Sequence, residues 1–141
     1  MSGIGAKDYG GRWNDKGIAV VYAASSLSLA ALEILVHVAD YALLGGIDYS
    51  CIRLDFAPGL VARVDAAALP ADWQDLEHPA CKRSGSEWAR GALRPVLAVP
   101  SAVIALETNY LLNPLHPDFA RIAASAPQPF SFDARLVKQA P

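Results

Sequence analysis

The chain has 141 residues, 53% of them hydrophobic and 18% charged, which suits one folded domain with its own core and excludes a disordered chain. Its 12 basic residues against 14 acidic ones give a formal charge of −2, so no basic excess exists to hold a nucleic-acid backbone. The longest uncharged run, Gly17 to Leu32, is too short and too rich in serine and tyrosine for a membrane span, and it ends at Glu33.

Glycines at 3, 5, 10 and 11 make the start turn-rich, and Gly10-Gly11-Arg12-Trp13-Asn14 bends the backbone just before a cation, a large ring and an amide. Ile18 to Tyr22 is β-branched and apolar and predicts a mostly buried strand. Ser25 or Ser26 then suits a helix N-cap, and the Leu/Ala-rich stretch from Leu27 to Leu44 predicts a helix stopped by Gly45-Gly46. Tyr49 to Phe56 alternates as a half-buried strand does, and Pro58-Gly59 turns it into Leu60 to Val64, which together predict a hairpin. Helical turns are expected at Asp65–Leu69 and Asp72–Leu76, a loop over His78–Gly85, and a short helix over Ser86–Gly91. Val96 to Val99 predicts a strand and Ala102 to Leu106 a further extended run. Asn109 to Pro117, with its prolines and asparagines, predicts an ordered loop; Asp118 to Ala126 suits a short helix and Phe130 to Phe132 a last strand. No internal repeat or linker divides the chain, so residues 1–141 are expected to form one domain.

Glu33 is the residue that physical reasoning singles out first. No lysine or arginine lies within Leu27 to Val38 to neutralise it, and an unpaired buried carboxylate is costly unless it faces a cleft. The alternative is an exposed stripe of Glu33, His37 and Asp40 at helical spacing. Arg12 suits a forked grip on a phosphate, or else a surface stack on Trp13. Tyr22, near a strand end, suits stacking on a ligand ring, or else ordinary core packing. Glu33 with His37, and His78 with Cys81, fall short of a full zinc spacing, so no metal is expected. Cys51 and Cys81 are too few to announce a disulfide framework, and with no secretion signal at the start a cytoplasmic protein with reduced thiols is expected. No phosphate loop, dinucleotide-binding glycine motif or nucleophile elbow occurs in the sequence.

Five stretches in order, Gly10-Gly-Arg-Trp-Asn14, Val20-Val-Tyr-Ala-Ala-Ser-Ser26, Leu29-Ala-Ala-Leu-Glu33, Val99-Pro-Ser101 and Asn109 through Phe119, resemble the RES domain, the toxin half of a bacterial toxin–antitoxin system. The likeness runs from Gly10 to Arg135. The family's arginine, glutamate and serine match Arg12, Glu33 and Ser101, and its further active-site aromatic matches Tyr22. Members usually carry an additional stretch ahead of the glycine-rich segment, and the loop from His78 to Arg94 is less family-like, so nothing is transferred onto it. The resemblance implies an α+β fold: a mixed α/β single domain resembling the ADP-ribosyltransferase core, with two small sheets and surrounding helices enclosing an NAD cleft. It implies a toxin that cleaves the nicotinamide–ribose bond of NAD, with NAD as substrate and no cofactor. Transfer of ADP-ribose to a protein or to phosphate through the same cleft, and a catalytically inactive nucleotide- or partner-binding module, are the alternatives. In this assignment Arg12, Tyr22 and Glu33 are catalytic, and Arg12, Asn14, Tyr22, Ser25, Ser101 and Asn109 bind NAD. Arg12 would hold the pyrophosphate, Tyr22 would stack near the nicotinamide or ribose, Glu33 would stabilise the opening ribose cation, and Ser101 would bond the substrate or brace Glu33. The implied partner is an Xre-type helix-turn-helix antitoxin. Neither nucleic acid nor membrane is expected as a direct partner, and a homo-oligomer is left open.

Overall fold

A computed structural model describes residues 1–39 and 41–137. After helix α1 (Ile4–Tyr9), strand β1 (Val21–Ala24) leads into helix α2 (Leu27–Leu35) and a 3-10 turn at Tyr41–Gly46. Short strands β2 (Tyr49–Cys51), β3 (Leu54–Asp55) and β4 (Val61–Arg63) follow, then helix α3 (Pro79–Gly91), β5 (Val96–Pro100), β6 (Thr108–Leu112), β7 (Ala123–Ala124), β8 (Gln128–Phe130) and a final turn of helix, α4 (Ala134–Val137). The fold is mixed α/β, as expected. Its described strands form a four-stranded sheet in the order β1-β6-β5-β4 and two two-stranded ladders, β2-β8 and β3-β7.

The centre of the main sheet explains itself from composition. Val96, Leu97, Ala98 and Val99 are buried on both faces, as a continuous apolar run in a central strand must be. Strand pairing sorts side chains by parity. Leu97, Val99 and Leu111 pack with Trp13, Trp73 and Cys81 on one face, and Val96 and Leu112 pack with Ile122 on the other. Trp13 and Trp73 meet with ring centroids 6.1 Å apart, so two large apolar surfaces from distant segments close the first core.

Several elements differ from the sequence expectation, each for a physical reason. The strand expected over Ile18–Tyr22 begins at Val21, because the Ile18 carbonyl accepts from the Asn14 side chain at 3.1 Å instead of entering a ladder. The helix expected to run from Leu27 to Leu44 starts as predicted, with Ser26 accepting from the Leu29 N–H, but stops at Leu35. Its C-terminal carbonyls find other partners there: the His37 ring bonds the Glu33 carbonyl at 2.7 Å, a side-chain contact that closes the last turn. The predicted hairpin does not form. The 49–56 segment splits into β2 and β3, which pair with β8 and β7, while β4 lies parallel to β5.

The expected loop at His78–Gly85 is the first half of α3. His78 accepts from the Ala80 N–H and Pro79 fits the first helical position, so an unusual cap hides the start. Gly85 does not break this helix; it lets the helix lie against the backbone of Trp13, whose carbonyl oxygen would be 1.9 Å from a Cβ at that position. The run Ala102–Leu106 is not extended but forms the turn joining β5 to β6, with Ser101 N bonded to Glu107 O at 3.0 Å. Asn109, read as loop, lies inside β6 and pairs with Val99. The predicted helix after Asp118 is only a 3-10 turn, Pro117–Arg121, before β7.

Candidate active site

Beside β1 and α2 opens a cleft of about 440 Å³ whose lining includes Gly11, Arg12, Trp13, Tyr22, Glu33, His37, Ala102 and Asn109. Its size is that of a small-molecule site. Three segments far apart in sequence meet there: the glycine turn before β1, the middle of α2, and the β5–β6 hairpin.

Arg12 projects from a tight turn in which Gly11 bridges Asn14. Its Nη1 donates to the carbonyls of Trp73, Gln74 and Asp75 at 3.3, 3.1 and 2.7 Å. One edge of the guanidinium is thereby fixed to a chain segment that the buried Trp73 anchors. Nε and Nη2 take no partner among the described residues, so donors remain for a ligand oxygen.

Tyr22 presents its ring to the cleft while its hydroxyl is used within the protein. The hydroxyl donates to Asn14 Oδ1 at 2.7 Å and accepts from the Trp13 N–H at 3.0 Å. Burial pushes the phenol up to about 12, against the opposing pull of the Trp13 N–H and the Arg12 charge. At neutral pH Tyr22 is therefore a fixed donor and a ring surface, not a base. Gly11 is needed beside it, since a Cβ there would lie 2.6 Å from the Tyr22 oxygen.

Glu33 is held by residues of the β5–β6 hairpin. Its Oε1 accepts from the Ser101 hydroxyl at 2.8 Å and from the Asn109 amide. The Ser101 oxygen also accepts from the Val103 and Ile104 N–H groups, both at 3.1 Å, so its single hydrogen is directed at the carboxylate. Oε2 takes no protein donor among the described residues. The Glu33 carboxylate thus has one oxygen anchored and the other available in the cleft, and its side chain is half-buried rather than part of a solvated stripe. Asp40, the third member of that stripe, lies outside the described residues.

The structure brings Arg12, Tyr22, Glu33 and Asn109 onto one cleft, with Ser101 directly behind Glu33. It does not bring Asn14, Ser25 or Ser101 to the cleft surface; Ser101, expected to bond the substrate or brace Glu33, is fully buried with its hydrogen on Glu33 and only braces it. Asn14 is fully buried, and its amide donates to the Ala6, Asp15 and Ile18 carbonyls while its oxygen takes the Tyr22 hydroxyl. It braces the arginine turn instead of meeting a ligand. Ser25 is exposed at the end of β1 with its backbone N–H on Thr108 O, and Ser26 supplies the cap. His37 is a lining residue that the sequence places only in an exposed stripe or in an incomplete metal spacing with Glu33. Its Nδ1 faces the Glu33 carbonyl at 2.7 Å and must carry the proton there, which leaves Nε2 as the acceptor of the neutral ring. The spacing of four from Glu33 was the available signal. Among the described residues no three His, Cys, Asp or Glu side chains gather as metal ligands, and no helix is long and apolar enough to cross a membrane.

A family profile described as the RES domain matches residues 1–133. The chain belongs to the RES-domain family. It is similar to Toxin Res of Photorhabdus laumondii subsp. laumondii, at 41% identity over 139 residues, covering 97% of this chain and 88% of that protein. A Prs ADP-ribosylating toxin from a Sphingobium species is 39% identical over 148 residues, covering 99% of this chain and 88% of that one. Toxin Res of Yersinia enterocolitica is 38% identical over 137 residues, covering 96% of this chain and 89% of that protein. In fold, this RES domain resembles a chain in the crystal structure of the M. tuberculosis MbcT–MbcA toxin–antitoxin complex, with a TM-score of 0.72 at 18% identity, covering 93% of this chain and 77% of that chain.

Proposed function

We propose that this RES domain is the toxin of a toxin–antitoxin pair and that it cleaves the nicotinamide–ribose bond of NAD. The observation that carries this reading is the Glu33 carboxylate, anchored through one oxygen by Ser101 and Asn109 and lining the same cleft as the half-engaged guanidinium of Arg12. The bond to be broken already has a good leaving group. As it lengthens, its electron pair passes to the nicotinamide nitrogen and quenches the pyridinium charge, while positive charge grows on the ribose. A pre-positioned carboxylate stabilises that charge without reorganising. Oε2 of Glu33 faces the ribose and accepts from a ribose hydroxyl. The free edge of Arg12 holds the pyrophosphate in a forked contact. The Tyr22 ring stacks on the nicotinamide end and fixes its orientation. Water attacks the exposed carbon, its oxygen forms the new bond, and its proton leaves to solvent. ADP-ribose and nicotinamide are the products.

A second reading has a specific ground: a relative 39% identical over 148 residues is named an ADP-ribosylating toxin. In that case a protein side chain replaces water at the same carbon, and phosphate is a third acceptor of the same kind. The named toxins and the toxin–antitoxin complex among the similar proteins support an antitoxin partner, which we take to be an Xre-type helix-turn-helix protein. The deciding experiment gives the purified protein NAD labelled in its adenine and separates the products. Nicotinamide with free labelled ADP-ribose supports hydrolysis, label on an added protein or on phosphate supports the alternatives, and intact NAD refutes the proposal.

A further inference from the structure

Arg12 and Glu33 line the same cleft from different segments of the chain, and Gln74 hydrogen-bonds to the surroundings of both. The backbone carbonyl of Gln74 accepts from Arg12 Nη1 at 3.1 Å. The side chain of the same residue donates from its Nε2 to the carbonyl of Ala102 at 3.1 Å. Ala102 directly follows Ser101, whose hydroxyl holds Glu33 at 2.8 Å. Three hydrogen bonds, joined by the covalent frame of Gln74 and of the 101–102 backbone, therefore link the guanidinium to the carboxylate.

Three features make this more than an incidental surface contact. Gln74 lies one residue from Trp73, which packs on Trp13 beside Arg12, so its backbone cannot follow an independent motion. The partner carbonyl belongs to the turn whose N–H groups, at Val103 and Ile104, fix the direction of the Ser101 hydroxyl. Gln74 itself is exposed, so a core-packing role does not account for its side chain reaching across 28 positions of sequence to a cleft-lining residue.

We propose that Gln74 is a positioning residue that sets the span between Arg12 and Glu33. Resting on the NAD-cleaving reading above, it fixes how far the pyrophosphate grip stands from the carboxylate that faces the ribose. Without the strap, Arg12 keeps its three carbonyls and still binds the dinucleotide, but the ribose no longer sits in register with Glu33. Small misplacements of this kind lower turnover more than affinity.

The test compares wild type with Gln74→Met, which keeps the side-chain length and removes the donor, and with Gln74→Lys, which restores a donor. Nicotinamide release should show kcat lowered about three- to tenfold in Gln74→Met, the size expected for one hydrogen bond, with KM for NAD unchanged. Gln74→Lys should recover most of that loss. Amide hydrogen exchange, read without NAD, should be faster at Val103 and Ile104 in Gln74→Met while the melting temperature stays near that of wild type. Unchanged exchange at those amides overturns the proposal. So does an active Gln74→Met enzyme with the wild-type kcat, or a loss expressed in KM alone. A wild-type protein that releases no nicotinamide would instead remove the proposed reaction, and the exchange measurement alone would then uphold or overturn the strap.

Discussion

Replacing Ser101 by alanine tests whether the carboxylate is held as described. Ser101 is fully buried, and its one oxygen serves three groups: it donates to Glu33 and accepts from the N–H groups of Val103 and Ile104. Alanine removes all three bonds and puts nothing in their place. A buried N–H left without a partner costs about 1–3 kcal/mol. Val103 and Ile104 are only half-buried, so water recovers part of this, and a net loss of about 2–3 kcal/mol is expected. For a chain of 141 residues that corresponds to a fall in melting temperature of about 6–10 °C. Glu33 keeps the Asn109 amide but loses the donor that fixes its direction, so turnover should fall about 10- to 100-fold in the fraction that remains folded. The two readouts are thermal unfolding by circular dichroism and nicotinamide release well below the new midpoint. A variant with wild-type stability and wild-type turnover would show that the hydroxyl neither closes the turn nor aims the carboxylate.

Gly85→Ala places a Cβ 1.9 Å from the Trp13 carbonyl oxygen, so α3 must move off the arginine turn; a loss of at least about 2 kcal/mol is expected in a urea melt. Because burial raises the Tyr22 phenol from 10.0 to about 12, its contribution to stability is complete below pH 10 and disappears as pH rises towards 12. Urea midpoints measured across that window should fall with pH in wild type, and the Tyr22 share of the slope should be absent in Tyr22→Phe. Arg12→Lys keeps the charge but cannot grip the 73–75 carbonyls with one edge and a pyrophosphate with the other, so KM for NAD should rise at least about tenfold in steady-state assays.

Of the site residues, Glu33 alone stands out from the pattern of the chain itself; Arg12, Tyr22, Ser101 and Asn109 come from the ordered motifs that resemble the RES domain. Glu33 interrupts an apolar helix without a neighbouring cation. That exception marks a place where tertiary contacts, not local propensity, decide the residue. Asn109 enters the site through the RES-domain resemblance and reads locally as loop, since asparagine disfavours strands and its place in β6 depends on pairing with Val99. The misplaced elements share that cause. The parallel pairing of β4 with β5, the partners of β2 and β3, and the tolerance of Gly85 inside α3 are set by contacts distant in sequence. Asn14 and Ser25 show the limit for polar residues near a site. Their neighbours in sequence line the cleft, but strand direction and burial turn one towards the interior and the other to solvent.

Glu33→Gln tests what the free oxygen of Glu33 does, with little change of shape. The glutamine side-chain oxygen can still accept from Ser101 and Asn109, while the negative charge is gone. Nicotinamide release by this variant, beside wild type and after a matched unfolding curve, is the measurement. A folded protein that has lost nearly all turnover is expected; a folded Glu33→Gln protein that releases nicotinamide at the wild-type rate would contradict the role proposed for the carboxylate.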